Sequence, residues 1–183
     1  MPMLARDIGV SSLFRKWKEN KMVTVRLESK EAFNIIGIKT WIPGTDNEVF
    51  GEFWEKSYKH GEVERIMKFS KNKENSCTKS TILGLSCTEK DPNIRSFYFY
   101  IAVETDEVSN QGKYEVYKVK PYEWAIFSSD GTGVDSLLES EMYAWKEWLP
   151  NNNLYEHDNG PEMEVYFDNN KVEYWLPIRR KNN

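Results

Sequence analysis

Two glutamates and a tyrosine alternate along Pro161-Glu162-Met163-Glu164-Val165-Tyr166-Phe167, and a second aromatic run, Glu173-Tyr174-Trp175-Leu176-Pro177-Ile178, follows a short polar break. In a strand, successive side chains point to opposite faces, so Met163, Val165 and Phe167 share one face while Glu162, Glu164 and Tyr166 share the other. A mid-strand carboxylate must be solvated in a cleft, hydrogen-bonded or matched to a positive partner, because burying it alone costs several kcal/mol or more. Glu164 is therefore the candidate binding group. The plain alternative is one more solvated residue on an open sheet face, in a chain with 29 acidic residues.

Other chemistries find little support. His60 and His157 stand far apart, and no HxxxH or CxxC spacing occurs, so neither a transition-metal site nor a cofactor is expected. Nothing matches a phosphate-binding loop or a nucleophile elbow, and Gly131-Thr132-Gly133 is too short a glycine signal to count. Cys77 and Cys87 read as two free thiols in a reducing compartment. The net charge of −4 argues against nonspecific nucleic-acid binding, and Arg179-Arg180-Lys181 reads as a solubilising tail. No run approaches the ~20 apolar residues of a membrane span, and the charged opening segment lacks the core of a signal peptide. A cytoplasmic location is expected. Aromatic residues are unusually frequent, with 7 Trp, 10 Tyr and 9 Phe, which suits a packed core and a ligand cleft alike.

The elements that must position Glu164 follow from periodicity. Leu4 to Ser11 resembles the turn of a helix-turn-helix, but only four residues precede Ala5, so residues 1–21 are read as an N-terminal extension with a short helix at 12–20. Alternation predicts strands over 22–29 and 32–41, and helical spacing of Phe50, Phe53, Trp54 and Tyr58 predicts a helix over 48–59. Residues 68–80 are polar and aperiodic and read as a mobile loop, followed by a hairpin of 81–87 and 96–104 around the turn at 90–93. The plan then restarts. Strands over 114–119 and 121–128 precede a helix over 134–148, whose apolar side carries Leu137, Leu138, Met142, Trp145 and Trp148. Core packing accounts for both aromatic stripes unless a cleft claims some of them.

Each half thus reads strand, strand, helix, strand, strand. Residues 22–183 form one α+β domain with pseudo-repeat halves of about 22–105 and 113–180. A duplicated strand-helix-strand-strand module closing one antiparallel sheet would carry two main helices and a central groove on its pseudo-twofold axis.

With that duplication in view, the chain resembles the effector-binding domain of AraC-type transcriptional regulators, the superfamily of gyrase-inhibitory-like and integron-associated effector-binding proteins. The resemblance rests on Lys120-Pro121 leading to Trp124-Ala125-Ile126-Phe127, on Trp148-Leu149-Pro150 with Tyr155 beyond, and on Glu164-Val165-Tyr166 and Glu173 to Ile178. It implies a groove between two helices that takes hydrophobic, often cationic small molecules, with Glu164 at its floor and Tyr166 beside it. Tyr98, Trp124, Tyr100, Trp41, Trp54 and Trp145 are the candidate walls. A domain standing without an attached DNA-binding domain would act as a ligand sensor or sequester its ligand. Two alternatives stay open. One is a hydrolase of electrophilic small molecules that uses Glu164 with Tyr98 or Tyr100; the other is a protein-interaction module with an unknown partner.

Overall fold

Two residues, Lys120 and Pro121, join the strand Glu115–Val119 (β5) to the strand Tyr122–Ser129 (β6), and this short link dictates the shape of the sheet. The computed structural model describes residues 22–44, 48–87 and 96–182; the expected helix at 12–20, the helix-turn-helix-like segment and the turn at 90–93 lie outside them. The remaining strands are β1 (Val23–Lys30), β2 (Phe33–Ile42), β3 (Ile82–Ser86), β4 (Phe97–Thr105), β7 (Tyr155–His157), β8 (Glu162–Tyr166) and β9 (Val172–Arg180). All pairings are antiparallel, in the order β1-β6-β9-β8-β3-β4-β2-β5, with β7 added to β9. In a flat sheet β5 and β6 would lie about 29 Å apart, at about 4.8 Å per strand. Val119 and Tyr122, three residues apart, can be separated by no more than about 11 Å. The sheet must therefore curl until its two ends approach.

The curl explains how one face is buried without helices. Leu83, Leu85, Ala102, Trp124, Ile126, Met163 and Val165 have no exposure on that face, where they form a single core cluster. The other face carries two clusters. One lies beneath helices α1 (Glu48–Lys59) and α2 (Glu62–Met67), the other beneath α3 (Gly133–Tyr143). Glu48 in the first turn of α1 and Lys56 and Lys59 in its last complement the helix dipole, and Gly61, at φ +67°, turns the chain into α2. That second helix has no sequence signal beyond Val63 and Ile66, its only two buried residues. The helix expected over 134–148 ends as an α-helix at Tyr143 and continues as a π-helical turn, Ala144–Trp148, closed by Leu149 N–H donating to the Ala144 carbonyl at 2.9 Å. The 68–80 segment is tied down by Glu104, whose carboxylate accepts from the backbone N–H groups of Cys77 at 2.8 Å and Thr78 at 3.0 Å.

The strand order reads the same from either end once β1 is exchanged with β5, β2 with β6, β3 with β8 and β4 with β9. The centre of that palindrome is the β3·β8 pair, where Gly84 stands opposite Glu164.

Candidate functional site

Gly84 makes room for the carboxylate. A Cβ at position 84 would come to 2.6 Å from Glu164 Oε2 and 2.9 Å from Phe99 Cζ, so any side chain there would displace one or both. Glu164 lies on the helix-bearing face, half-buried, and its Oε2 accepts a hydrogen bond from the Tyr166 hydroxyl at 2.7 Å. Tyr166 packs against both helix-side clusters and so marks the seam between them. On the α1 side Trp54 meets the Tyr166 ring edge to face at 5.5 Å and stacks on Tyr58 at 6.0 Å. On the α3 side the π-helical turn presents Trp145, whose Nε1 donates to the Tyr174 hydroxyl at 2.8 Å; that hydroxyl in turn donates to Glu162 Oε2 at 2.5 Å. Glu141, on α3, brings a third carboxyl group close enough to Glu162 and Glu164 to be repelled by both.

The electrostatics follow from withheld water. Burial raises Glu164 to about 7; repulsion from Glu162 adds to this, and the Tyr166 hydrogen bond opposes it. Glu164 keeps part of its surface exposed while protein encloses its carboxyl group. Glu141 is pushed well above the ordinary carboxylate range by desolvation first, then by Glu162 and Glu164. The Tyr166 and Tyr174 hydroxyls are held up by burial, and then by Glu164 and Glu162 respectively, so both remain donors. Among the described residues no lysine or arginine forms an ion pair with Glu164 or Glu141. The seam between α1 and α3 therefore combines aromatic side chains with a carboxyl group that gains by acquiring a positive neighbour.

Of the residues expected at the site, Glu164, Tyr166 and Trp54 come together here, and Trp145 is linked to them through Tyr174 and Glu162. The others stand on the opposite face of the sheet. Trp41 and Tyr98, 50% and 42% exposed, meet edge to face at 5.0 Å, with Lys39 Nζ 4.6 Å above the Tyr98 ring. Tyr100 is buried against Tyr117 within the helix-free core, and Trp124 is fully buried there between Tyr122 and Trp175 with its Nε1 unpaired. The cause is strand parity: on β4 the helices cover Phe97, Phe99 and Ile101, which sends Tyr98 and Tyr100 the other way. The same parity corrects the acid–base pairing of Glu164 with Tyr98 or Tyr100, since the sheet lies between them. Sequence reasoning missed Glu141, Tyr58, Tyr174 and Gly84 as site residues. Alternation had already placed Glu162 on the face of Glu164, and register alone brings Tyr174 beside it.

Residues 24–179 match the family described as GyrI-like small molecule binding domain. Among curated proteins no significant match was found. Among solved structures, SAV2435 bound to tetraphenylphosphonium is 20% identical with a TM-score of 0.68, the alignment covering 85% of this chain and 94% of that one. An integron cassette protein from the mobile metagenome of Vibrio cholerae is 18% identical with a TM-score of 0.63, over 88% of this chain and 100% of that one. The C-terminal domain of EcmrR is 13% identical with a TM-score of 0.57, over 87% and 99%. At these identities the structures share the fold.

Proposed function

Since this chain belongs to the GyrI-like family of small-molecule-binding domains, we propose that it captures a hydrophobic organic cation in the groove between α1 and α3, with ionised Glu164 as counter-ion, and acts as a ligand sensor or sequestering protein. The observation that supports this most is the Glu164 carboxyl group itself: half-buried, close to two further carboxyl groups, hydrogen-bonded to Tyr166 whose ring meets Trp54, and without a cationic partner among the described residues. At an effective dielectric of about 20, a cation held about 4 Å from a carboxylate gains roughly 4 kcal/mol, and each aromatic face adds about 0.5–2 kcal/mol. A delocalised cation suits the site better than a compact ammonium because it surrenders less hydration on entering an aromatic groove. The tetraphenylphosphonium bound to SAV2435 is a ligand of that chemical type.

The test is tryptophan-fluorescence titration with tetraphenylphosphonium and with tetraphenylborate, which share a shape and differ in the sign of their charge. Saturable binding of the cation and not the anion to the groove, weakened at least about tenfold in Glu164→Gln, is the expected result. Equal groove affinity for the two ions, or an unchanged cation affinity in the variant, would remove Glu164 from this role.

A further inference from the structure

The helix-free face carries a second concavity, of about 340 Å³, whose charge has the opposite sense to that of the groove. Arg26, Glu28 and Lys30, at alternate positions of β1, form one wall, and Lys171, just before β9, with Glu173 in it forms another. Lys79 closes a third side from the loop that Glu104 anchors. Four cations against two carboxylates leave a surplus of two positive charges, in a chain whose net charge is −4.

Both carboxylates are already engaged. Glu173 accepts two hydrogen bonds from Arg26 at 2.9 Å and one from Trp175 Nε1 at 3.0 Å, while Glu28 pairs with Arg26 and Lys30, each at 2.6 Å. Arg26 and Lys30 are thereby held in place. Lys171 reaches Glu173 only at 3.7 Å, and Lys79 forms no ion pair among the described residues. Lys79 also adopts a left-handed backbone, at φ +53°, with its N–H fixed by Ser76 Oγ at 2.8 Å. A non-glycine residue held in that region marks a place where the surrounding structure enforces the backbone conformation. Phe167, half-buried, supplies apolar surface between the charged walls, while Trp175 beneath is buried with Lys30 Nζ 5.6 Å from its ring.

We propose that this pocket binds a small aromatic anion, a carboxylate or phosphate monoester carried on a single ring, with Lys79 and Lys171 paired to the anionic group and the ring against Phe167. The volume lies near the lower end of the roughly 300–1,000 Å³ of small-molecule sites, which sets the one-ring limit. A bare inorganic anion would leave the aromatic surface unused, and a cation would meet the positive surplus.

The experiment is amide-resolved NMR titration of the full chain with salicylate, with phenyl phosphate and with uncharged benzyl alcohol. Saturable shifts confined to residues 77–79 and 167–173 are expected for at least one of the anions and not for benzyl alcohol, and which anion binds tells carboxylate from phosphate recognition. Affinity falls at least about tenfold in the Lys79→Glu/Lys171→Glu double variant and stays within about twofold in Glu164→Gln, which leaves this pocket intact. Both lysines are exposed at the rim of the pocket and form at most one long ion pair among the described residues, so the double variant keeps the parent fold, read from the amide spectrum away from the pocket; Lys79→Ala, with a smaller loss in the same direction, provides a second measure. Saturation by neither anion, equal binding of benzyl alcohol, equal affinity in the double variant, or shifts mapping to the groove around Glu164 would each overturn the proposal.

Discussion

β3 and β8 occupy equivalent places on either side of the palindrome's centre, yet β3 presents Gly84 where β8 presents Glu164. The same division runs through the groove. The first half contributes aromatic surface from Trp54 and Tyr58, over a buried Phe99, whereas the second half supplies the three carboxyl groups, Glu141, Glu162 and Glu164. Repetition builds a symmetric trough, and departure from repetition gives it a charge. A single carboxylate on a pseudo-twofold axis needs its counterpart to be small, and Gly84 meets that condition.

Restoring bulk on the β3 side breaks the asymmetry most severely. Gly84→Val puts carbon atoms where Phe99 and the Glu164 carboxylate now lie, at an overpacking cost of about 1–3 kcal/mol. Thermal melts are expected to show a drop of several degrees, and tetraphenylphosphonium titration a loss of at least about tenfold. A smaller loss follows from removing a first-half wall. Trp54→Ala weakens cation binding by about 0.5–1 kcal/mol, roughly two- to fivefold, while Tyr98→Ala, on the far face, leaves it unchanged. Equal effects of the two substitutions would show that the groove is not where the cation sits.

The smallest effect concerns stability. Glu164 has its folded-state value raised to about 7, so between its ordinary value of 4.5 and about 7 the folded chain holds a proton that the unfolded chain has lost. Stability therefore declines as pH rises through that window, and the charged carboxylate is a burden on the fold above it. Glu164→Gln is expected to melt a few degrees higher than the parent at pH 8 and at about the same temperature at pH 4, at roughly 2–4 °C per kcal/mol for a chain of this length. A variant that melts lower at pH 8 would mean that the carboxylate stabilises the fold rather than serving the ligand.

Much of this arrangement was legible in the sequence. Alternation along β8 placed Glu164 beside Tyr166 and away from Met163 and Val165, and the restarting plan of strands and helices anticipated a groove between two helices. Parity within a strand says which residues share a face but not which face the helices cover; this is why Tyr98, Tyr100, Trp41 and Trp124 were expected at the groove and stand opposite it. Covering is a tertiary fact set by where Phe97 and Phe99 meet α1. Tyr174 and Gly84 reach the site through register across β8·β9 and β3·β8, which no local pattern encodes. Glu141 sits among residues of α3 whose apolar side faces the core, and nothing in its spacing distinguishes it from a solvated helix residue.

Calorimetry of tetraphenylphosphonium binding at pH 6 in buffers of different ionisation enthalpy counts the protons exchanged on binding and so tests the role of Glu164 most directly. A cation favours the ionised carboxylate, so it lowers the Glu164 value of about 7 and expels its proton. The parent is predicted to release close to one proton per cation, with affinity rising by at most about tenfold per pH unit up to about 7, and Glu164→Gln is predicted to release most of a proton less. Binding without proton release, or equal release by parent and variant, would contradict the claim that a proton-bearing Glu164 becomes the counter-ion.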